Sequence, residues 1–141
     1  MLTTVEKVLF LQDVDIFEHT TTEDLSHIAA IAEEIEYQVD DVIYKEDEIS
    51  DSMYVVIDGK VRLTRGEKEV MVAGKMEAFG TWALFDDEPR VATATALETS
   101  QLLRLDREDF IDLLADHVAI TQSILKTMAK RLRKLMMRIY R

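Results

Sequence analysis

The chain contains no cysteine. Disulfide frameworks, thiolate metal sites and cysteine nucleophiles are therefore excluded, and this usage fits a cytoplasmic location. No apolar run approaches the roughly 20 residues that a membrane-spanning helix needs. The opening Met1-Leu2-Thr3-Thr4-Val5-Glu6-Lys7 lacks the basic region of a secretory signal, so none is expected. There is no Ser/His/Asp set on a nucleophile turn, no Walker phosphate loop and no metal quartet. The sequence thus predicts a non-enzyme with no catalytic residues, no metal and no resident cofactor. His19 and His27 lie in or beside helical stretches with no ligand set nearby. The charged segment 45–51 lacks the glycine and terminal glutamate of an EF-hand and reads as a solvated loop. Asp86, Asp87 and Glu88 sit together on a loop, where solvated carboxylates are expected rather than catalytic acids.

What is present describes one globular domain over residues 1–141. Apolar residues make up 48% and aromatics 7%, enough to build a core at this length. The net charge of −11 is unevenly spread. Residues 117–141 hold seven Lys/Arg and no acid, which leaves ten basic and 28 acidic side chains, net −18, on the preceding 116. So acidic a body repels nucleic acid, and no direct nucleic-acid binding is expected. The basic tail is expected to meet an acidic surface: its own body, a partner or, third in order, a membrane.

Helical spacing marks the first 33 residues. Val5, Val8 and Leu9, flanked by Phe10, give one short face. An apolar turn follows at residues 14–17. Thr22 is placed to cap a helix whose stripe is Leu25, Ile28, Ala29 and Ala32. From residue 34 to 105 the period changes to two. Strands are predicted at 35–39, 42–44, 53–57, 60–64, 69–73, 91–96 and 101–105. Asp58-Gly59 between two β-rich runs predicts a two-residue hairpin with positive φ at both positions. Seven or so short strands at this spacing point to a sandwich or jelly-roll barrel, mainly β with flanking helices. Asp106 caps the next helix, with Phe110, Leu113 and Leu114 inward. A longer helix runs from about Val118, and Leu125, Met128, Leu132, Leu135 and Ile139 form a heptad seam on it. Two readings of that seam stand: it packs on its own barrel, or it makes a two-fold dimer.

The stretch 79–93, Phe-Gly-Thr-Trp-Ala-Leu-Phe-Asp-Asp-Glu-Pro-Arg-Val-Ala-Thr, organises the rest. It reads as a glycine turn, one helical turn near 80–86, an acidic loop and an arginine opening a strand. Free amides after Gly80 favour an anion, and Arg90 can complete the cradle with a bidentate fork. Alternatively Arg90 pairs with Asp86, Asp87 and Glu88 on the surface.

With these motifs in place the chain resembles a cyclic nucleotide-binding domain, the family of the bacterial catabolite activator protein, the regulatory subunits of cyclic AMP-dependent kinase and cyclic nucleotide-gated channels. The resemblance rests on the N-terminal helices, the segment 51–59, the stretch 79–93 and the closing helices. It implies an eight-stranded jelly-roll with a helical subdomain that moves on ligand binding, and a phosphate-binding cassette over residues 79–93. By matching position, Gly80 admits the ribose and the amides of Ala83 and Val91 meet the cyclic phosphate, with Arg90 neutralising it. Thr81, Trp82, Leu84 and Ala92 complete the implied ligand-binding set. The implied partner is a small phosphate ligand, cyclic AMP or cyclic GMP. An output domain or partner protein outside this chain is implied as well, because transcription factors of this family carry a helix-turn-helix after the long helix.

The sequence also departs from the family. Thr81 stands where a glutamate usually accepts from the ribose 2′-OH, and Trp82 stands where a medium aliphatic is usual. The loop glycines often found near Asp47 and Ser50, and at Met76, are absent. Losing a hydrogen bond to a charged group weakens binding about tenfold to two-hundredfold. Two functions therefore remain open, a ligand-sensing regulatory module and a ligand-free domain that dimerises or docks partners.

Overall fold

The computed structural model describes residues 1–140. Alternating apolar and polar residues lay down eight short strands: β1 (Glu33–Tyr37), β2 (Val42–Tyr44), β3 (Ser52–Asp58), β4 (Val61–Arg65), β5 (Lys68–Ala73), β6 (Ala78–Phe79), β7 (Thr93–Ala96) and β8 (Ser100–Asp106). They pair into two four-stranded antiparallel sheets, β1-β8-β3-β6 and β2-β7-β4-β5. Helices α1 (Thr4–Leu11) and α2 (Thr22–Ile31) precede the sheets; α3 (Arg107–Asp116) and α4 (Val118–Ile139) follow them.

The first sheet has both faces covered, and strand alternation decides which residue goes where. Met53, Val55, Leu103 and Leu105 face the helices and pack with Phe17, Leu25, Ile28, Phe110 and Ile120. Tyr54, Val56 and Leu102 face the second sheet and pack with Tyr44, Val61, Leu63, Phe79 and Ala94. Each large apolar side chain so buried stabilises the fold by about 1.5–3 kcal/mol.

Several expectations are corrected. Asp58-Gly59 is not a hairpin: β3 and β4 belong to different sheets and do not pair. Only Gly59 of the two has positive φ, 107°. It is a corner pressed on the start of β8, where an added Cβ would land on Ser100 Oγ and within 2.7 Å of Ser100 Cα. The two-residue hairpin is Gly66-Glu67, with Arg65 opposite Lys68. β6 was not predicted, because two residues show no period. β7 begins at Thr93, not at residue 91. Arg90 pairs its backbone with the 45–51 loop instead, donating to Glu48 O at 2.8 Å and accepting from Asp47 N–H at 2.8 Å.

Among the helices, α2 is capped by Thr21 rather than Thr22; its hydroxyl accepts from Asp24 N–H at 3.1 Å. The buried face of α1 is Val8 and Leu11, whereas Val5 and Leu9 are exposed. α4 buries Ile120, Ile124 and Thr127, one stripe away from the predicted seam. Met128 packs partly on the helical core, but Leu125, Leu132, Leu135 and Ile139 are exposed. The packing of these four on their own barrel is therefore overturned: the helix runs past the body, and Arg131 pairs with Asp15 at 3.2 Å near where it leaves.

Candidate functional site

β6 ends at Phe79, and the φ of 71° and ψ of 21° at Gly80 turn the chain into a 3-10 helix, Thr81–Leu84. A left-handed turn favours glycine, and here space demands it too. A Cβ at residue 80 would sit 2.7 Å from Arg90 Nη1 and 3.3 Å from the Tyr44 hydroxyl. The arginine thus lies directly over the glycine that precedes the short helix.

Arg90 is only 5% exposed. Its Nη2 donates to Ser52 Oγ at 3.2 Å and lies 3.6 Å from Asp51 Oδ1, and its guanidinium caps the Tyr44 ring at 3.9 Å. Surface pairing with Asp86, Asp87 and Glu88 is therefore overturned. The backbone bonds to Asp47 and Glu48, with Ser50 Oγ donating to Glu88 O at 2.6 Å, fix the loop so that the side chain points inward.

These elements bound a cleft of about 430 Å³. Gly80, Thr81, Trp82, Ala83, Arg90, Val91 and Ala92 all line it, beside Tyr44, Leu63 and Phe79. Leu84 does not line it; its side chain is buried in the helix-facing core. Trp82 stands on the rim, 61% exposed, its ring tilted on Phe85 at 6.3 Å. From there the rings run inward, Phe85 against Phe110 at 6.0 Å and Phe110 against Phe17 at 6.3 Å. The Ala83 N–H donates to Gly80 O at 3.2 Å, so an anion there shares that hydrogen with a carbonyl.

Burial pushes the Tyr44 phenol up to about 12, opposed by the nearby Arg90 charge. Burial and the neighbouring Tyr54 push Tyr37 up to about 12 as well. Both phenols are therefore neutral at physiological pH and compensate none of the arginine charge.

Sequence reasoning missed three supports. Asp51 and Ser52 belong to a segment used for the resemblance, but their contact with Arg90 depends on a loop closing across the barrel. Arg107 Nη1 donates to Ser50 O at 2.7 Å, Ala83 O at 3.3 Å and Asp86 O at 2.5 Å, while its backbone N–H donates to Asp51 O at 2.8 Å. It clasps the short helix to the 45–51 loop from the first position of α3. The signal was a cation at a helix N-terminus, where the dipole disfavours it. The third is Arg104, a charge between Leu103 and Leu105 in a strand.

Three comparisons bear on this arrangement. The sequence model described as "Cyclic nucleotide-binding domain" matches residues 34–117. The chain is 28% identical over 117 residues to a CRP-like cAMP-activated global transcriptional regulator of Mycobacterium tuberculosis, covering 77% of this chain and 52% of that protein. It is 33% identical over 97 residues to a cyclic AMP receptor protein of Thermus thermophilus, covering 65% and 45%. The chain therefore spans about half the length of these relatives. Its fold is similar to the N-terminal domain of a transcriptional regulator from Streptomyces coelicolor A3(2), with a TM-score of 0.85 and 31% identity over 89% of this chain and 94% of that one.

Proposed function

Because the chain belongs to the cyclic nucleotide-binding domain family, we propose that it is a regulatory module taking a cyclic nucleotide, or a related phosphate anion, into the cleft beside Gly80 and Arg90. The observation that carries this reading is Arg90 itself. A guanidinium 5% exposed, with a buried Nε lacking any partner, is expensive to hold unless an anion completes its coordination. Arg107 and the ring path from Trp82 to Phe17 then offer a mechanical link from the cleft to α3 and the helical core, and through it to α4 and a partner or further domain.

Isothermal titration with cyclic AMP and cyclic GMP up to millimolar tests this. Binding of at least one is expected, abolished by Arg90→Ala. Thr81→Glu restores the family's ribose acceptor and should strengthen cyclic AMP binding about tenfold to two-hundredfold. Silence for both nucleotides with the fold intact removes the ligand class. A second reading, a ligand-free assembly domain, is favoured by Thr81 in place of glutamate and by the exposed seam of α4. In that case a homodimer through Leu125, Met128, Leu132, Leu135 and Ile139 is the working state.

A further inference from the structure

The β8 positions on the face toward the second sheet are Ser100, Leu102, Arg104 and Asp106, and Arg104 is the one cation among them. Arg104 lies opposite Tyr54 in the β3–β8 register, on the face that carries Leu102 and Val56 inward. Its side chain is 26% exposed and its Nε is buried without a partner, as in Arg90. Asp51 stands between the two arginines. Oδ1 is 3.6 Å from Arg90 Nη2 and Oδ2 is 3.6 Å from Arg104 Nη2, which also lies 3.7 Å from Asp106 Oδ2. Ser52 Oγ, fully buried, accepts from Arg90, donates to Asp51 Oδ1 at 2.9 Å and reaches the Tyr54 hydroxyl at 3.4 Å. Each fork thus leaves its buried Nε without a partner, and the carboxylate nearest Arg90 is divided between them.

We propose that Arg104 is a positioning residue for the anion site: by holding one oxygen of Asp51, it prevents that carboxylate from closing on Arg90 and keeps the Arg90 charge available to a phosphate in the cleft. The inference rests on the anion-binding reading of that cleft. Without Arg104, Asp51 turns both oxygens to the Arg90 fork, and a bidentate carboxylate is the strongest competitor a phosphate meets there. A phosphate must then displace a charge-assisted pair, which lowers affinity about tenfold or more. A purely through-space effect of a second cation would also favour the anion. The two differ in one respect: only the first vanishes when Asp51 loses its charge.

Two measurements test this. In the unliganded protein, the Nε–Hε resonance of Arg90 is followed by NMR in Arg104→Gln, Asp51→Asn and the double variant. A shift in Arg104→Gln that is absent on adding Arg104→Gln to Asp51→Asn is expected; an Arg90 resonance unmoved by Arg104→Gln overturns the proposal. This arm needs no ligand, so it decides the role of Arg104 even if the nucleotide reading fails. In titrations with cyclic AMP, Arg104→Gln should weaken binding about tenfold, Arg104→Lys should stay within about threefold of the wild type, and in the Asp51→Asn background Arg104→Gln should change little. A loss of equal size in both backgrounds overturns the Asp51 route. A wild type silent to cyclic AMP refutes the proposed function instead. Unchanged circular dichroism in each variant separates these outcomes from misfolding.

Discussion

Tyr44 gives the site a ring face beneath the Arg90 guanidinium and a phenol that burial keeps protonated. Its ordinary value is 10.0 and its folded value about 12. Between those limits the unfolded chain has released the proton and the folded chain has not, so stability falls as pH rises. The full shift corresponds to about 2–3 kcal/mol. Tyr44→Phe keeps the ring and removes the titration; its urea midpoint should therefore decline less steeply than the wild type's between pH 10 and 12. Parallel declines would refute the assignment. Arg90 was legible in the sequence because a fork returning ten residues after a glycine turn suits a phosphate. Its neighbours Asp51 and Arg104 were not, since ion-pair partners on a distant loop and strand leave no local period to read. Position 47 shows how far geometry outlasts residue type. Asp47 keeps a left-handed φ of 69° near where the family often has glycine, and Met76 does so at 73°.

At the scale of elements, alternation and capping located most strands and all four helices, but not how the strands pair. Asp58-Gly59 had every local mark of a hairpin, yet a jelly-roll sends its two arms to different sheets, a choice made by long-range packing. β6 escaped because two residues carry no pattern. For α4 the heptad spacing was legible, but the face packed on the body was not: Ile120, Ile124 and Thr127 anchor it, and the leucines beside them stay exposed. Four large apolar side chains on one exposed stripe favour a two-fold helix pair. By sedimentation, the wild type should be a dimer, and Leu132→Asp with Leu135→Asp a monomer with unchanged helix content. Equal monomer masses for both proteins would remove the seam as an interface.

For the whole molecule, ligand binding and stability are linked. A nucleotide at about 100 times its dissociation constant stabilises the folded state by about 2.7 kcal/mol. For a chain of this length the thermal midpoint should rise by on the order of 10 °C. Arg90→Ala should show no such rise; an equal rise in that variant would place the nucleotide elsewhere. The shared sheet has one more consequence. β3 and β8 send alternate side chains to opposite sides, so sliding one strand by a single residue would trade Leu103 and Leu105 for Arg104 among the helices. A guanidinium there would bring only Asp106 of its own strand with it into hydrocarbon, and the misaligned chain would be driven back. Arg104 thereby acts as a ratchet tooth, locking the alignment of the strands that carry it.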